Sequence, residues 1–338
     1  MRHGRSMELP RSGTLTRRQI VAALAAVGVG VVTSSFMSRL AAAEEINKEI
    51  GSQMVPATRM VAAIFFASYS TIALRRALRY AGDSGFVASM PQLLHARVNA
   101  SYDNIIWNTW FTANSEESVV TTSPGNHVVV TVHGGGIFAK PARLERSLRA
   151  DLARSNSEGL TGQYAAKISA SEAREVLDGT LPDGREIAVF QFDEFKRGVA
   201  DLPRRYAVVL DFDVAKQSTN GYERFDVLID DPLMIVRAGG LEPLAAYLDK
   251  ARDRHNTKLM GNWHPYDRID PDQPQTRILK LAGNKGGRGS EGDDLGLGWG
   301  YDADYGITGG GGMVDMARYV AVAPRNDSVS LRYLDFGH

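Results

Sequence analysis

The sequence contains no cysteine in its 338 residues. This absence excludes disulfide bonds, thiolate metal sites and cysteine nucleophiles together. It suits a protein that folds in the cytosol and then works in an oxidising compartment, although many cytosolic proteins also lack cysteine.

An excess of basic residues is also absent from most of the chain. Residues 1–43 hold six of the 39 basic residues and one of the 39 acidic residues, so the remainder has 33 basic and 38 acidic residues and a net charge of −5. Neutralising phosphate groups requires a basic face, so this composition argues against nucleic acid as a partner.

No apolar run reaches the roughly 20 residues that a membrane-spanning helix needs. The run from Met60 to Leu74 has 15 residues and predicts a buried core helix. A second run of 13 residues extends from Ile20 to Val32 and follows paired arginines.

That second run belongs to a leader. Arg17 and Arg18, the weakly apolar core, and the small residues at 41–43 resemble a twin-arginine export signal, with Ile20 and Val21 where Phe and Leu are commoner. The resemblance implies recognition by an export machinery through the paired arginines and cleavage after Ala43. The mature protein would then be periplasmic or extracellular, with no stable membrane span.

For the mature chain, the sequence predicts a single α+β domain over residues 44–338. We expect a central mixed β-sheet, a helical N-terminal third and a C-terminal antiparallel hairpin. The predicted strands are Ser118–Thr122, Val128–Val132, Glu186–Phe192, Tyr206–Asp213, Leu233–Val236, Arg277–Leu281 and the hairpin pair Ala317–Ala323 and Val329–Leu334. The predicted helices begin at Pro141, at a capping box formed by Ser169 and Glu172, and at Leu241, while Met90–Asn114 fits either a helix or a pair of strands.

The segment His133–Gly136 is the first candidate site, because a β-branched strand breaks there into Gly134, Gly135 and Gly136. It resembles the oxyanion loop of hormone-sensitive-lipase-like esterases, in which backbone N–H groups stabilise a developing alkoxide. No G-x-S-x-G motif follows downstream to supply the nucleophile. The same residues with Ala139 also satisfy a dinucleotide-type G-x-G-x-x-A turn, without the expected acidic residue about 20 positions on. The structural alternative is that the glycines only let the strand turn sharply.

Two further groups of polar residues are candidates. Asp211 and Asp213 end an apolar strand, and strand alternation would place both carboxylates on one face, where they suit a hard cation or a general base. The alternative is that they cap the next segment. His264 lies in a polar loop with Trp263, Tyr266 and Asp267, which favours binding.

The third candidate is glycine-rich. Residues 283–312 contain 13 glycines, a density typical of a loop. Trp299, Tyr301 and Tyr305 in this stretch are candidates for an aromatic binding surface, and its carboxylates are candidate calcium ligands.

These patterns support two functions. In the first, the exported protein is a binding module that contacts a partner protein or polymer through the glycine-rich loop, with Trp299 and Tyr301. In the second, it is a hydrolase whose active site holds a divalent metal ion or a water molecule. The candidate residues around it are His133, Asp211, Asp213 and His264, and the turn at Gly134–Gly136 binds a small anionic ligand. Because no catalytic motif is complete, the sequence favours the binding module slightly.

Overall fold

The computed structural model of the chain describes residues 61–68, 70–152, 166–255, 259–284, 294–298 and 317–324. All of them belong to one unit, Ile46–His338. The predicted leader, the predicted hairpin strand Val329–Leu334, and Trp299 and Tyr301 lie outside the described residues.

A nine-stranded mixed sheet forms the centre of the fold, as the sequence predicts. Its strands are β3 (Phe111–Ser123), β4 (Asn126–His133), β5 (Ala166–Lys167), β6 (Ala188–Gln191), β7 (Tyr206–Asp211), β8 (Gly221–Arg224), β9 (Leu259–Trp263), β10 (Gln275–Asn284) and β11 (Asp294–Gly298). Their order is β6-β7-β4-β3-β10-β11-β9-β8, with β5 pairing on β10. The pairs β6–β7 and β11–β9 are parallel and the others are antiparallel.

A smaller three-stranded sheet has the order β1-β12-β2, formed by Val61–Ser68, Ala317–Pro324 and Phe86–Val87. The prediction of one helix over Met60–Leu74 is therefore wrong. The apolar residues of β1 are a strand because β12 supplies antiparallel backbone partners from the far end of the chain, Ile64 opposite Ala321 for example. The strand prediction at Ala317–Ala323 is confirmed, and its described partners are β1 and β2.

Helices cover both faces of the large sheet. They are α1 (Ser70–Ala81), α2 (Met90–Asn99), α3 (Ile105–Asn108), α4 (Pro141–Leu152), α5 (Ala170–Asp178), α6 (Phe192–Lys196), α7 (Phe212–Gln217), α8 (Phe225–Leu228), α9 (Pro232–Ala238) and α10 (Leu241–His255), with a 3₁₀ turn at Ile137–Ala139. None of these described helices has the length and apolar character to cross a bilayer.

Local sequence signals set the ends of several of these helices. Ser169 and Glu172 form the predicted capping box of α5, and Gly179 ends that helix in the left-handed region at φ +72°. The predicted strand at Leu233–Val236 is wrong, because Asp231 caps a helix there by accepting a hydrogen bond from the Met234 N–H at 3.0 Å. Proline at the first helical position completes that start signal.

The alternation of β4 divides the core between the two sheet faces. Val130 and Val132 pack in a cluster with Leu74 of α1 and Leu144 of α4. Val129 points to the other face and packs in a separate cluster. The strand β4 is thus buried on both faces, and its last residue, His133, which precedes the turn, is buried as well.

Candidate functional site

The turn after His133 is built from glycines because two of them have positive φ, +87° at Gly134 and +108° at Gly135. The N–H groups of both glycines donate to the Asn114 carbonyl, at 2.9 and 3.0 Å. These two amides therefore point into β3 and away from solvent, so they do not form the outward oxyanion site that the esterase-like pattern predicts.

The next amides of the turn bind a carboxylate of the chain itself. The Phe138 N–H donates to Glu116 Oε1 at 2.9 Å, and the N–H groups of Gly136 and Ile137 also stabilise this charge. A Cβ on Gly136 would lie 2.7 Å from Glu116 Oε2, so only glycine leaves room for the side chain. Burial raises the pKa of Glu116 to about 7 against these donors and the charge of Arg143. The sequence predicts a small anionic ligand at this turn, whereas the group that the amide of Phe138 binds is the carboxyl of Glu116.

His133 is fully buried and both of its ring nitrogens have partners. Nε2 lies 3.0 Å from the Val236 carbonyl, which only accepts, so Nε2 carries the proton. Nδ1 lies 2.9 Å from Ser115 Oγ, which itself accepts from the Met90 N–H at 2.9 Å. Burial lowers the pKa of His133 to about 4. This serine–histidine pair has hydrolase-like spacing, but neither side chain has exposed surface through which a substrate would reach it.

The two predicted carboxylates lie elsewhere. In the register of β4 and β7, Val128 pairs with Asp211 and His133 pairs with Tyr206, which separates His133 from Asp211 by five residues, about 17 Å along the strands. The strand ends at Asp211, whose Oδ1 accepts from the N–H groups of Asp213 and Val214 at 2.8 and 3.1 Å. The prediction of one strand face for both carboxylates is wrong, and the capping alternative is correct.

Both ring nitrogens of His264 also have hydrogen-bond partners inside the protein. Its Nε2 donates to the Ser218 carbonyl at 2.9 Å, its Nδ1 accepts from the Tyr266 N–H at 3.3 Å, and its ring stacks on Tyr266. Burial lowers its pKa. Within the described residues no three histidine or acidic side chains are grouped to hold a metal ion, so the structure does not bring His133, Asp211, Asp213 and His264 together.

A buried ionic network that the sequence did not predict occupies the middle of the sheet. Arg237 of α9 forms a bidentate pair with Glu117 of β3, at 2.7 and 2.8 Å, and both side chains have no exposed surface. Tyr266 Oη donates to Glu117 at 2.6 Å, and Arg237 also donates to Asn262. Although burial opposes ionisation of Glu117, the charge and hydrogen bonds of Arg237 hold its pKa below the ordinary value. The only sequence signal was an acidic pair, Glu116 and Glu117, inside a strand-forming segment.

A cleft of about 320 Å³ opens beside this network. We call it the 214–232 cleft. Its lining residues come from α7, α8, the start of α9 and the connecting loops; they are Val214, Gln217, Ser218, Thr219, Val227, Asp230, Asp231 and Pro232. The buried floor is fixed to the network, because Asp231 Oδ1 and the Thr219 carbonyl accept from Asn262 Nδ2 at 3.3 and 3.1 Å. A rigid polar floor below an open cleft is an arrangement typical of a ligand site.

The glycine-rich stretch reaches the same edge of the sheet. Asp294–Gly298 is strand β11, so the prediction of an uninterrupted loop over 283–312 is wrong for these residues. β9 and β10 supply the backbone partners that overcome the glycine content. Gly298 at the end of β11 pairs with Trp263 of β9, and Gly221 at the start of β8 pairs with Asn262 of β9. The end of β11 and the Ser218–Thr219 loop, which leads into β8, therefore lie at the same end of these strands.

Gly134 provides a test of how closely the turn is packed. We expect Gly134→Ala to lower the free energy of unfolding by about 1–3 kcal/mol, because the residue is left-handed and its Cβ would lie 2.7 Å from Arg205 Cγ and 3.0 Å from the Arg204 carbonyl. Urea denaturation measures the change. Gly125→Ala is the matched control, since φ is +74° there and no atom lies within 4 Å of the added Cβ. Equal losses in the two variants would show that the turn is not packed as described.

Comparison with known proteins supports the fold and nothing finer. No family model and no curated protein matches the sequence. One solved structure matches the chain with a TM-score of 0.51 and 23% identity, and the match covers 78% of this chain and 97% of that chain. Its description reads "Accommodation of massive sequence variation in Nanoarchaeota by the C-type lectin fold". At this identity the match shows a shared fold, the α+β C-type lectin fold.

Proposed function

We propose that this chain is an exported binding module whose recognition surface is the 214–232 cleft together with the glycine-rich segment that follows β11. The observation that carries the proposal is the contrast between two regions. The backbone amides of the His133 turn and both ring nitrogens of His133 have partners inside the protein, whereas the cleft is open beside a hydrogen-bonded buried floor.

The described part of the glycine-rich segment ends on the side of the sheet that carries the cleft. β11 ends at Gly298, the residue before Trp299, at the sheet edge that carries the Ser218–Thr219 loop. Trp299 and Tyr301 are the aromatic residues that the sequence predicts for binding, and aromatic side chains supply large contact areas at interfaces. The neighbouring solved structure is described as accommodating massive sequence variation, which fits a scaffold that keeps its sheet while its surface residues differ.

Exposed apolar groups at the cleft support binding as well. Val227 is 46% exposed and Val214 is 37% exposed, and Pro232 lines the same cleft, so three apolar side chains share one opening. Covering this surface with a ligand would remove apolar area from water.

Nuclear magnetic resonance with a panel of small molecules tests the proposal. We expect N-acetyl amino-acid amides or methyl glycosides to shift the amide and methyl signals of residues 214–232, without any chemical turnover of the probe. Val227→Arg should remove these shifts by filling the cleft. Ile72→Arg on α1, where the native side chain is 40% exposed, is the matched control and should leave them unchanged. Shifts confined to another face, or release of hydrolysis products, would contradict the proposal.

A further inference from the structure

The residues that line the 214–232 cleft carry charge of one sign. Its lining contains two carboxylates, Asp230 and Asp231, and no cationic side chain. Asp230 is exposed and forms no ion pair with any described residue, whereas Asp231 is buried and both its oxygens are occupied. The Thr219 N–H donates to Asp231 Oδ2 at 2.7 Å, which holds that carboxylate in place below the cleft. Asp230 is therefore the carboxylate that remains for a ligand.

A buried hydroxyl in the lining also lacks a partner. Ser218 is 7% exposed, and its Oγ has no hydrogen-bond partner among the described residues. The other polar groups of this residue are used, because its N–H donates to the Ala215 carbonyl at 3.3 Å and its carbonyl accepts from His264. Buried polar groups in proteins are nearly always paired, so the unpaired hydroxyl of this lining residue leaves one acceptor next to the cleft for a donor from outside.

The walls of the cleft define the rest of the ligand. Val214, Val227 and Pro232 form an apolar surface beside Asp230. A lysine-like group, with a methylene stem and an ammonium head, matches both features, because such stems lie along apolar surface while the head stays with polar acceptors. An ammonium supplies three donors and no acceptor, which suits one carboxylate and one hydroxyl. Divalent metal ions are usually held by several histidine or acidic side chains, and no group of three or more of these is present among the described residues.

We propose that the 214–232 cleft binds a primary ammonium group on an aliphatic stem, such as a lysine side chain of a partner peptide. This inference rests on the proposed binding function and specifies its ligand. Asp230 pairs with the ammonium, Ser218 Oγ accepts from it, and Val214, Val227 and Pro232 contact the stem.

Two probes of equal length test the inference. N-acetyl-lysine N-methylamide carries the ammonium, and N-acetyl-norleucine N-methylamide has the aliphatic stem without it. We expect the lysine probe to bind about two- to fivefold more tightly at low salt, the range expected for a solvent-exposed ion pair, as measured by shifts of the residue 214–232 signals. Raising the salt concentration should reduce this preference.

Single substitutions identify the groups responsible. Asp230→Asn should make the two probes bind equally, and Ser218→Ala should weaken the lysine probe more than the norleucine probe. Asp193→Asn and Ser171→Ala change exposed residues on other helices and should leave the preference unchanged. A lysine preference that survives Asp230→Asn would overturn the inference. Equal binding of both probes in the cleft would overturn the inference and leave the binding function standing, whereas no binding of either probe in the cleft would overturn both.

Discussion

Glu117→Ala is expected to lower the free energy of unfolding by about 3–5 kcal/mol, because it leaves the fully buried guanidinium of Arg237 without its bidentate partner. The Tyr266 hydroxyl also loses its acceptor at 2.6 Å. Urea denaturation at pH 7 measures the effect, with the midpoint as the readout and the slope as a check on two-state behaviour.

Two controls separate this effect from a general sensitivity to charge removal. Asp226→Ala breaks an exposed pair with Arg224 and should change stability little. The double variant Glu117→Leu with Arg237→Met removes both charges of the pair and should be more stable than Glu117→Ala, because it leaves no unpaired guanidinium at position 237. It should not reach the stability of the native protein, since the Tyr266 hydroxyl and the Asn262 side chain still lose their partners. A loss for Glu117→Ala no larger than that for Asp226→Ala would contradict the burial of this network.

The second large effect concerns the pH dependence of stability, where Glu116 and His133 act in opposite directions. The pKa of Glu116 rises from an ordinary 4.5 to about 7, so between these values the folded protein holds a proton that the unfolded chain has released, and stability falls as pH rises. The pKa of His133 falls from 6.5 to about 4, so between these values the unfolded chain holds a proton that the folded protein lacks, and stability falls as pH drops. Each contribution amounts to about 3 kcal/mol, and the two offset each other between about pH 4.5 and 6.5.

Single substitutions expose each contribution. In Glu116→Gln only the histidine contribution remains, so stability relative to the native protein should increase by about 3 kcal/mol as pH rises from 4.5 to 7. In His133→Gln only the glutamate contribution remains, so stability relative to the native protein should decrease as pH rises from 4 to 6.5. Other groups that face these two, Arg143 and Tyr319 beside Glu116 and Glu117 beside His133, are present in every variant and cancel in the difference. Differences that do not vary with pH would contradict both shifts.

Local sequence signals located the elements whose ends are set by local chemistry. α10 begins at Leu241, where its pattern predicts the start of a helix. The capping box at Ser169 and the strand at Val128–Val132, which is part of β4, were also predicted correctly. In each case the residues that decide the conformation are within a few positions of one another.

Elements that depend on distant partners were missed. β1 has the apolar content of a buried helix and becomes a strand by pairing with β12. β11 has two glycines in five residues and is held as a strand by its neighbours on both sides. Composition does not encode such pairings, since the stabilising groups are supplied by segments far away in the chain.

Prediction of the candidate site from the sequence was limited for the same reason. The glycine turn predicted backbone amides that face outward to a small anionic ligand, and this prediction is wrong for the amides of Gly134, Gly135 and Phe138. No local pattern indicates that Glu116, two positions after Asn114 on the neighbouring strand, supplies a carboxylate to this turn. The 214–232 cleft was missed because its residues come from short helices and loops with no shared motif. Backbone amides can donate equally well to a side chain of the protein or to a ligand from outside. Only the register of β3 and β4, which places Glu116 opposite Val132 beside the turn, shows that the acceptor belongs to the protein.

Amide hydrogen exchange at Gly134, Gly135 and Phe138 tests most directly whether the His133 turn is closed and recognition lies elsewhere. We expect slow exchange at all three amides, because they donate to the Asn114 carbonyl and the Glu116 carboxylate inside the protein, and no change on addition of inorganic phosphate. Exchange as fast as in an unfolded peptide, slowed by added phosphate, would show instead that these amides face solvent and bind anions.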